Sequence, residues 1–102
     1  MKVRKTSIYT KWIKGLRDNQ ARYRILTRIK RLEEGNFGDC SPIGEGLSEM
    51  RIHYGPGYRV YIKDTGEEII ILLCGGDKST QREDIAKAKQ IAASPLEEEE
   101  KV

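Results

Sequence analysis

The segment Ile69-Ile70-Ile71-Leu72-Leu73-Cys74 is apolar at every position. Alternate side chains of a strand point to opposite faces, so this run needs cover on both sides and reads as a central strand that organises the core. It is far too short for a membrane span, which takes about 20 residues. The chain around it has 102 residues, of which 34% are charged and 37% hydrophobic. That is enough for one small core and no second domain.

Before the run the apolar spacing is helical. Lys2 to Lys5 reads as a short edge strand, and Thr6 can cap a helix over about Ser7–Leu16, whose Tyr9, Trp12, Ile13 and Leu16 share one face. Trp12 on that face reads as a core anchor. Asp18 or Asn19 opens a second helix to about Glu34, ended by Gly35 as a left-handed residue. Ala21, Ile25, Ile29 and Leu32 fill one sector of it, while Arg24, Arg28 and Arg31, with Arg22 nearby, lie elsewhere on its surface. This arginine stripe suits either a solvated face or a surface that tracks phosphates or docks a partner.

Residues 36–46 are rich in turn formers and read as a connecting loop. After them the period changes to 2. Leu47 to Tyr54 and Tyr58 to Lys63 alternate, and Gly55-Pro56-Gly57 joins them as a hairpin. Only an odd loop keeps the apolar faces together. With Gly55–Gly57 as the loop, Ile52 faces Val60 and Met50 faces Ile62, while the other face pairs His53 with Arg59, Arg51 with Tyr61 and Glu49 with Lys63. Gly75 to Lys78 reads as a tight exit from the central strand. Thr80 and Glu83 form a capping box for a last helix to about Ala93, halted before Pro95, with Ile85, Ala88 and Ala92 inward. The expected order is β-α-α-β-β-β-α, an α+β domain over residues 1–94 with a helical hairpin on a mainly antiparallel sheet. Residues 95–102 form an acidic tail for which disorder is expected.

Residues 1–32 hold eleven Lys/Arg against one acid, a net charge of +10 inside a chain of only +3. A basic body of this size points to a polyanionic partner, with nucleic acid the commonest. One His and two cysteines, Cys40 and Cys74, leave a zinc site short of ligands, so neither metal nor cofactor is expected. Cys74 reads as a buried thiol. The start MKVRKTSIYT lacks the apolar region of a signal peptide, and a cytoplasmic location without membrane attachment is the expectation.

Cleavage of RNA by attack of a 2′-hydroxyl on the adjacent phosphate needs a base, a stabiliser of phosphorane charge and an acid for the leaving 5′-oxygen. The hairpin wall offers candidates for each role. Arg59 and Arg51 can clamp phosphate oxygens, His53 can exchange a proton near neutral pH, Tyr61 can orient or donate, and Lys78 stands before a helix N-terminus. Arg24, Arg28, Arg31 and Lys63 are the candidate RNA-binding residues beyond that wall.

The stretches Ser48-Glu-Met-Arg-Ile-His-Tyr-Gly-Pro-Gly-Tyr-Arg-Val-Tyr61, Leu72-Leu-Cys-Gly-Gly-Asp-Lys-Ser-Thr-Gln81 and Asp84-Ile-Ala-Lys-Ala88 resemble the HigB-like, Gp49-related branch of the RelE/ParE toxin superfamily. Trp12 to Asp18, Ala21 to Leu32 and Gly35-Asn-Phe-Gly38 fit the same pattern. The resemblance implies a RelE-like fold and the toxin of a type II toxin–antitoxin pair, with a helix-turn-helix antitoxin, the ribosome and mRNA as partners. It implies a ribosome-dependent, metal-independent mRNA endoribonuclease whose phosphate-binding arginine maps onto Arg59. Arg51 and His53 correspond in kind to the lysines that RelE carries on this strand but do not align with them position for position, and no aromatic follows Tyr61 to match the C-terminal aromatic of RelE. The same fold also serves ParE-like gyrase inhibitors and inactive antitoxin-binding modules, which are the alternative functions.

Overall fold

A computed structural model describes residues 1–94 and, as a strand, residues 98–101. Strand β1 (Lys2–Thr6) leads into α1 (Ser7–Gly15) and α2 (Asn19–Glu33). Strands β2 (Cys40–Gly44), β3 (Leu47–Ile52), β4 (Tyr58–Asp64) and β5 (Ile69–Asp77) follow, then a short 3-10 turn (Lys78–Thr80), α3 (Gln81–Ala93) and β6 (Glu98–Lys101). The sheet order is β2-β3-β4-β5-β1-β6, parallel only between β1 and β5. Among the described residues no helix is long and apolar enough to cross a membrane.

The helical hairpin begins and ends where its caps dictate. Thr6 Oγ1 accepts from the Tyr9 amide and donates to the Leu73 carbonyl at 2.6 Å, so one buried hydroxyl both starts α1 and ties it to β5. Asp18 caps α2 through the amides of Gln20 and Ala21. At the far end Gly35 takes φ +88°, and the amides of Gly35 and Asn36 reach back to Leu32 and Arg31. Ala21, Ile25, Ile29 and Leu32 are all buried.

The sheet has a core on each face. Tyr9, Ile13, Ile25, Ile29 and Leu32 cover Met50, Ile52, Val60, Ile62, Ile70 and Leu72 on one side. Ala88, with half-buried Ile85, Ile91 and Ala92, covers Leu47, Tyr61, Ile71, Leu73 and Cys74 on the other. The β5 segment is thus doubly covered, as its composition demands. Within β5, the β4 partner changes from Cys74 opposite Tyr61 to Leu72 opposite Ile62, which leaves Leu73 as an extra residue in a bulge. Leu73 and Cys74 both pack on the α3 side, and the strand then resumes its alternation.

That phase explains the paired glycines. A Cβ on Gly75 would meet the Trp12 ring at 2.3 Å, and one on Gly76 would meet Asp84 Oδ2 at 1.9 Å. Trp12 of α1 and Asp84 of α3 therefore press on neighbouring glycines from opposite faces. Trp12 in turn sits edge-on to Tyr58, with centroids 6.5 Å apart.

Five expectations need correction. Cys40–Gly44 is not loop: it pairs with Met50 to Leu47 as β2, an edge strand too short and too rich in Pro and Gly to show a period. Gly75 to Asp77 continues β5 instead of leaving it, because the bulge lets glycine satisfy both faces. The capping box is absent, since Thr80 makes no cap and its hydroxyl donates instead to Asp84 Oδ2 at 2.6 Å. Of the tail, residues 95–97 and 102 lie outside the described residues, whereas Glu98–Lys101 run antiparallel to β1 rather than in a disordered segment.

The fifth concerns the hairpin. Ile52 faces Tyr58, Arg51 faces Arg59, Met50 faces Val60 and Glu49 faces Tyr61, a slip of two residues from the predicted pairing. The loop is still odd, and the apolar face is the predicted one. It is two residues longer at its base, because the Tyr54 amide turns back to the Ile52 carbonyl and the Gly57 amide to the Tyr54 carbonyl.

Replacing Gly75 by alanine should force Trp12 off β5 and cost about 1–3 kcal/mol, as overpacking does. Urea unfolding of the Gly75→Ala protein checks this; an unchanged midpoint would mean that Trp12 can move freely.

Candidate functional site

The two-residue slip sets Arg51 directly across from Arg59 on the α3 side of the sheet. Like charges in that position repel, and the arrangement holds only if an acid intervenes. Glu49 does so. Its side chain is 5% exposed, and Oε1 lies 2.9 Å from Arg59 Nε while Oε2 lies 3.3 Å from Arg51 Nη1. Arg59 Nε lies off the line of a hydrogen bond, so that contact is ionic in character. Gln81, at the start of α3, donates to Glu49 Oε1 at 2.7 Å. A carboxylate this deep is tolerated only when paired and hydrogen-bonded, and Glu49 is both.

The network continues across β3 to the edge of the sheet. Arg51 Nη2 donates to Asp39 Oδ1 at 2.8 Å and to Ser41 Oγ at 2.6 Å. The other oxygen of Asp39, Oδ2, contacts His53 Nε2. Hydrogen bonds from Arg51, and then from His53, hold the Asp39 carboxyl well below the usual carboxylate range. The same Asp39 contact raises the Arg51 guanidinium. With Asp39 ionised, the Nε2 of a neutral His53 carries the proton and its Nδ1 is left as acceptor. The ring is 74% exposed.

The remaining candidates divide. Arg59 keeps 12% of its side chain exposed and its Nη1 reaches the Gly57 carbonyl at 3.4 Å. Lys78 is exposed, with its Cβ 3.6 Å from where a Cβ on Gly57 would stand, so it rises beside the hairpin loop next to Arg59. Arg59, Arg51, His53 and Lys78 are therefore gathered around one end of the hairpin. Lys63 is half-buried farther along β4, opposite Leu47 and not Glu49.

Tyr61 does not belong with them. It is completely buried among Leu47, Ile71, Leu73 and Ala88, burial pushes its phenol up, and its hydroxyl finds no protein partner. Alternation put it on the correct face, but that face is roofed by α3. Arg28 is likewise not part of an open stripe. Its guanidinium donates to the carbonyls of Arg51, Phe37 and Asp39, the Phe37 bond being 3.1 Å. It pins the segment that carries Asp39, and it crowds Gly38, which has φ +63° and no room for a Cβ. Arg22 is similarly spent on the Ile13 and Leu16 carbonyls at the end of α1. Arg24 and Arg31 remain exposed, Arg24 lying 4.7 Å over the Tyr54 ring.

Sequence reasoning missed Glu49 and Asp39 as members of the site. Glu49 was legible as a lone acid inside an alternating basic strand, the pattern of an internal counterion. Asp39 carried no such signal, because only the fold brings its loop against β3.

The chain matches the phage-derived Gp49-like protein family over residues 11–93. It belongs to that family. It is also 46% identical over 92 residues to an uncharacterized protein of Haemophilus influenzae, covering 90% of this chain and 93% of that one. No solved structure matches it. The family match spans α1 to α3, so every member of the charged network lies inside it.

Two outcomes follow from this geometry. Truncating Glu49 to alanine leaves two facing arginines without their shared anion and should cost about 3 kcal/mol in urea unfolding; a loss under about 1 kcal/mol would mean that the arginines repartner. For Asp39 the folded carboxyl titrates lower than the unfolded one, so its contribution is present above the unfolded value of about 4 and is lost as pH falls through the folded value. In a His53→Ala background, the stability gap between Asp39 and Asp39→Asn should be constant above about pH 5 and shrink below about pH 4. A gap that is independent of pH would remove the ion pair.

Proposed function

We propose that this Gp49-like protein is the toxin of a type II toxin–antitoxin pair of RelE/ParE type, neutralised by a helix-turn-helix antitoxin, and cleaves mRNA on the ribosome. The observation that carries the reading is the linked set His53–Asp39–Arg51–Glu49–Arg59, which ends in an exposed imidazole at one side and a held guanidinium at the other. Buried anchors with exposed tips are how a protein preorganises charge for a transition state.

In this reading the scissile phosphate lies over the hairpin end. Arg59, oriented by Glu49, and Lys78 offset the charge that develops on the phosphorane oxygens, and Arg51 reinforces them from its place between Asp39 and Glu49. His53 Nδ1 takes the proton of the 2′-hydroxyl while Asp39 stabilises the imidazolium that forms. The bond from the 2′-oxygen to phosphorus forms as the bond to the 5′-oxygen breaks, and that oxygen takes its proton from water at the open wall. The products are a 2′,3′-cyclic phosphate and a 5′-hydroxyl. The positive charge of residues 1–32 suits a partner as anionic as ribosomal RNA.

Primer extension on a defined mRNA in a reconstituted translation reaction tests the proposal. Cleavage at discrete codons, dependent on ribosomes, reduced at least about 100-fold by Arg59→Ala and about 100-fold by His53→Ala, is the expected result. Intact mRNA with wild-type protein would contradict it and favour a non-catalytic gyrase inhibitor or an inactive antitoxin-binding module.

A further inference from the structure

The outer surface of α2 forms one wall of an open groove of about 510 Å³, and the Ile52–His53 corner of the hairpin forms the other. Tyr23 stands on its rim 70% exposed, the most uncovered of the large hydrophobic side chains among the described residues. Arg24 and Arg31, both exposed, line the same groove seven residues apart, which is about 10 Å along the helix axis. Neither forms an ion pair with an acid among the described residues, and Arg24 is steadied instead by the face of Tyr54 at 4.7 Å. From Asn19 to Leu32 the helix carries five basic residues and no acid. The groove is thus a positively charged channel with an aromatic on its lip. Its other end is His53, which also contacts Asp39 in the charged network.

We propose that this groove holds a single-stranded RNA segment, with one unpaired base stacked on Tyr23 and neighbouring phosphates on Arg24 and Arg31, so that the strand is led toward His53. An exposed ring beside spaced arginines is the pattern of single-strand recognition, because an unpaired base offers a free face and a duplex does not. An acidic peptide fits less well: it would use the arginines, yet Ile52 is the one aliphatic side chain in the lining to anchor it. The inference deepens the nuclease reading and rests on it for RNA as the polyanion, but the groove and the cleavage site share only His53.

The test is fluorescence anisotropy of the full chain with a fluorescein-labelled ten-nucleotide oligouridylate, beside a ten-base-pair RNA duplex and an oligoglutamate peptide as competitor. Tyr23→Ala should weaken oligouridylate binding about tenfold while Tyr23→Phe binds as wild type. Arg24→Ala and Arg31→Ala should each lower the slope of log affinity against log salt by about 0.7. Duplex binding should not respond to Tyr23→Ala. All three side chains are exposed, and coincident thermal melts confirm that the variants fold. Oligouridylate binding that is indifferent to Tyr23→Ala overturns the proposal, as does its absence in the wild type, or full displacement by oligoglutamate with the Tyr23→Phe protein as weak as Tyr23→Ala. Comparing the binding and cleavage assays separates the two readings: Tyr23-dependent binding without mRNA cleavage by the wild type sinks the nuclease alone, whereas cleavage with Tyr23-independent binding sinks the groove alone.

Discussion

The carboxylate of Glu49 is the contact on which the rest of the site depends. The hairpin register makes Arg51 and Arg59 face each other on the α3 side of the sheet, with 29% and 12% of their side chains exposed. Without a shared anion this pairing would open the sheet or expel one guanidinium. Glu49 converts a repulsion into a fixed scaffold, and Gln81 uses the same oxygen to join the first turn of α3 to it. The cost of burying the acid is offset only because each of its oxygens has a cation or donor. Removing one partner therefore leaves the others misplaced, which makes the network one unit rather than a set of separate contacts.

The two faces of the molecule are coupled through glycine and arginine. Gly75 and Gly76 let Trp12 and Asp84 approach β5 from opposite sides, so the helical hairpin and α3 are both keyed to one point of the central strand. Arg28 reaches from α2 to the carbonyls around Asp39, and Gly38 leaves it room to do so. The helix that lines the groove thereby also positions the acid that orients His53. A sequence that spends Gly35, Gly38, Gly75 and Gly76 on close approach or left-handed backbone is spending flexibility on the accuracy of one corner.

Much of this fold could be read from local rules. Thr6, Asp18 and Gly35 cap as their chemistry predicts, the α2 face buries the residues its period marks, and the apolar β5 run is covered on both sides. What local rules missed is what period 2 cannot encode. Alternation fixes the parity of a hairpin but not a slip of two, so the faces came out correctly and every cross-strand partner did not. A side chain on the polar face can be exposed, like His53, or roofed, like Tyr61, and the pattern is the same for both. Arg22 and Arg28 look like surface charge in the sequence because their partners are backbone carbonyls, which carry no residue signature. Asp39 belongs to the site only through the chain fold, so no spacing could announce it.

In the proposed mechanism, held guanidinium groups and an aspartate-oriented imidazole promote attack by the 2′-hydroxyl. Mass spectrometry of the new RNA ends after incubation with translating ribosomes tests it most directly. A 2′,3′-cyclic phosphate on one fragment and a 5′-hydroxyl on the other are the expected ends. A 3′-hydroxyl with a 5′-phosphate would mean attack by water in a different geometry, and would rule out the 2′-hydroxyl as nucleophile.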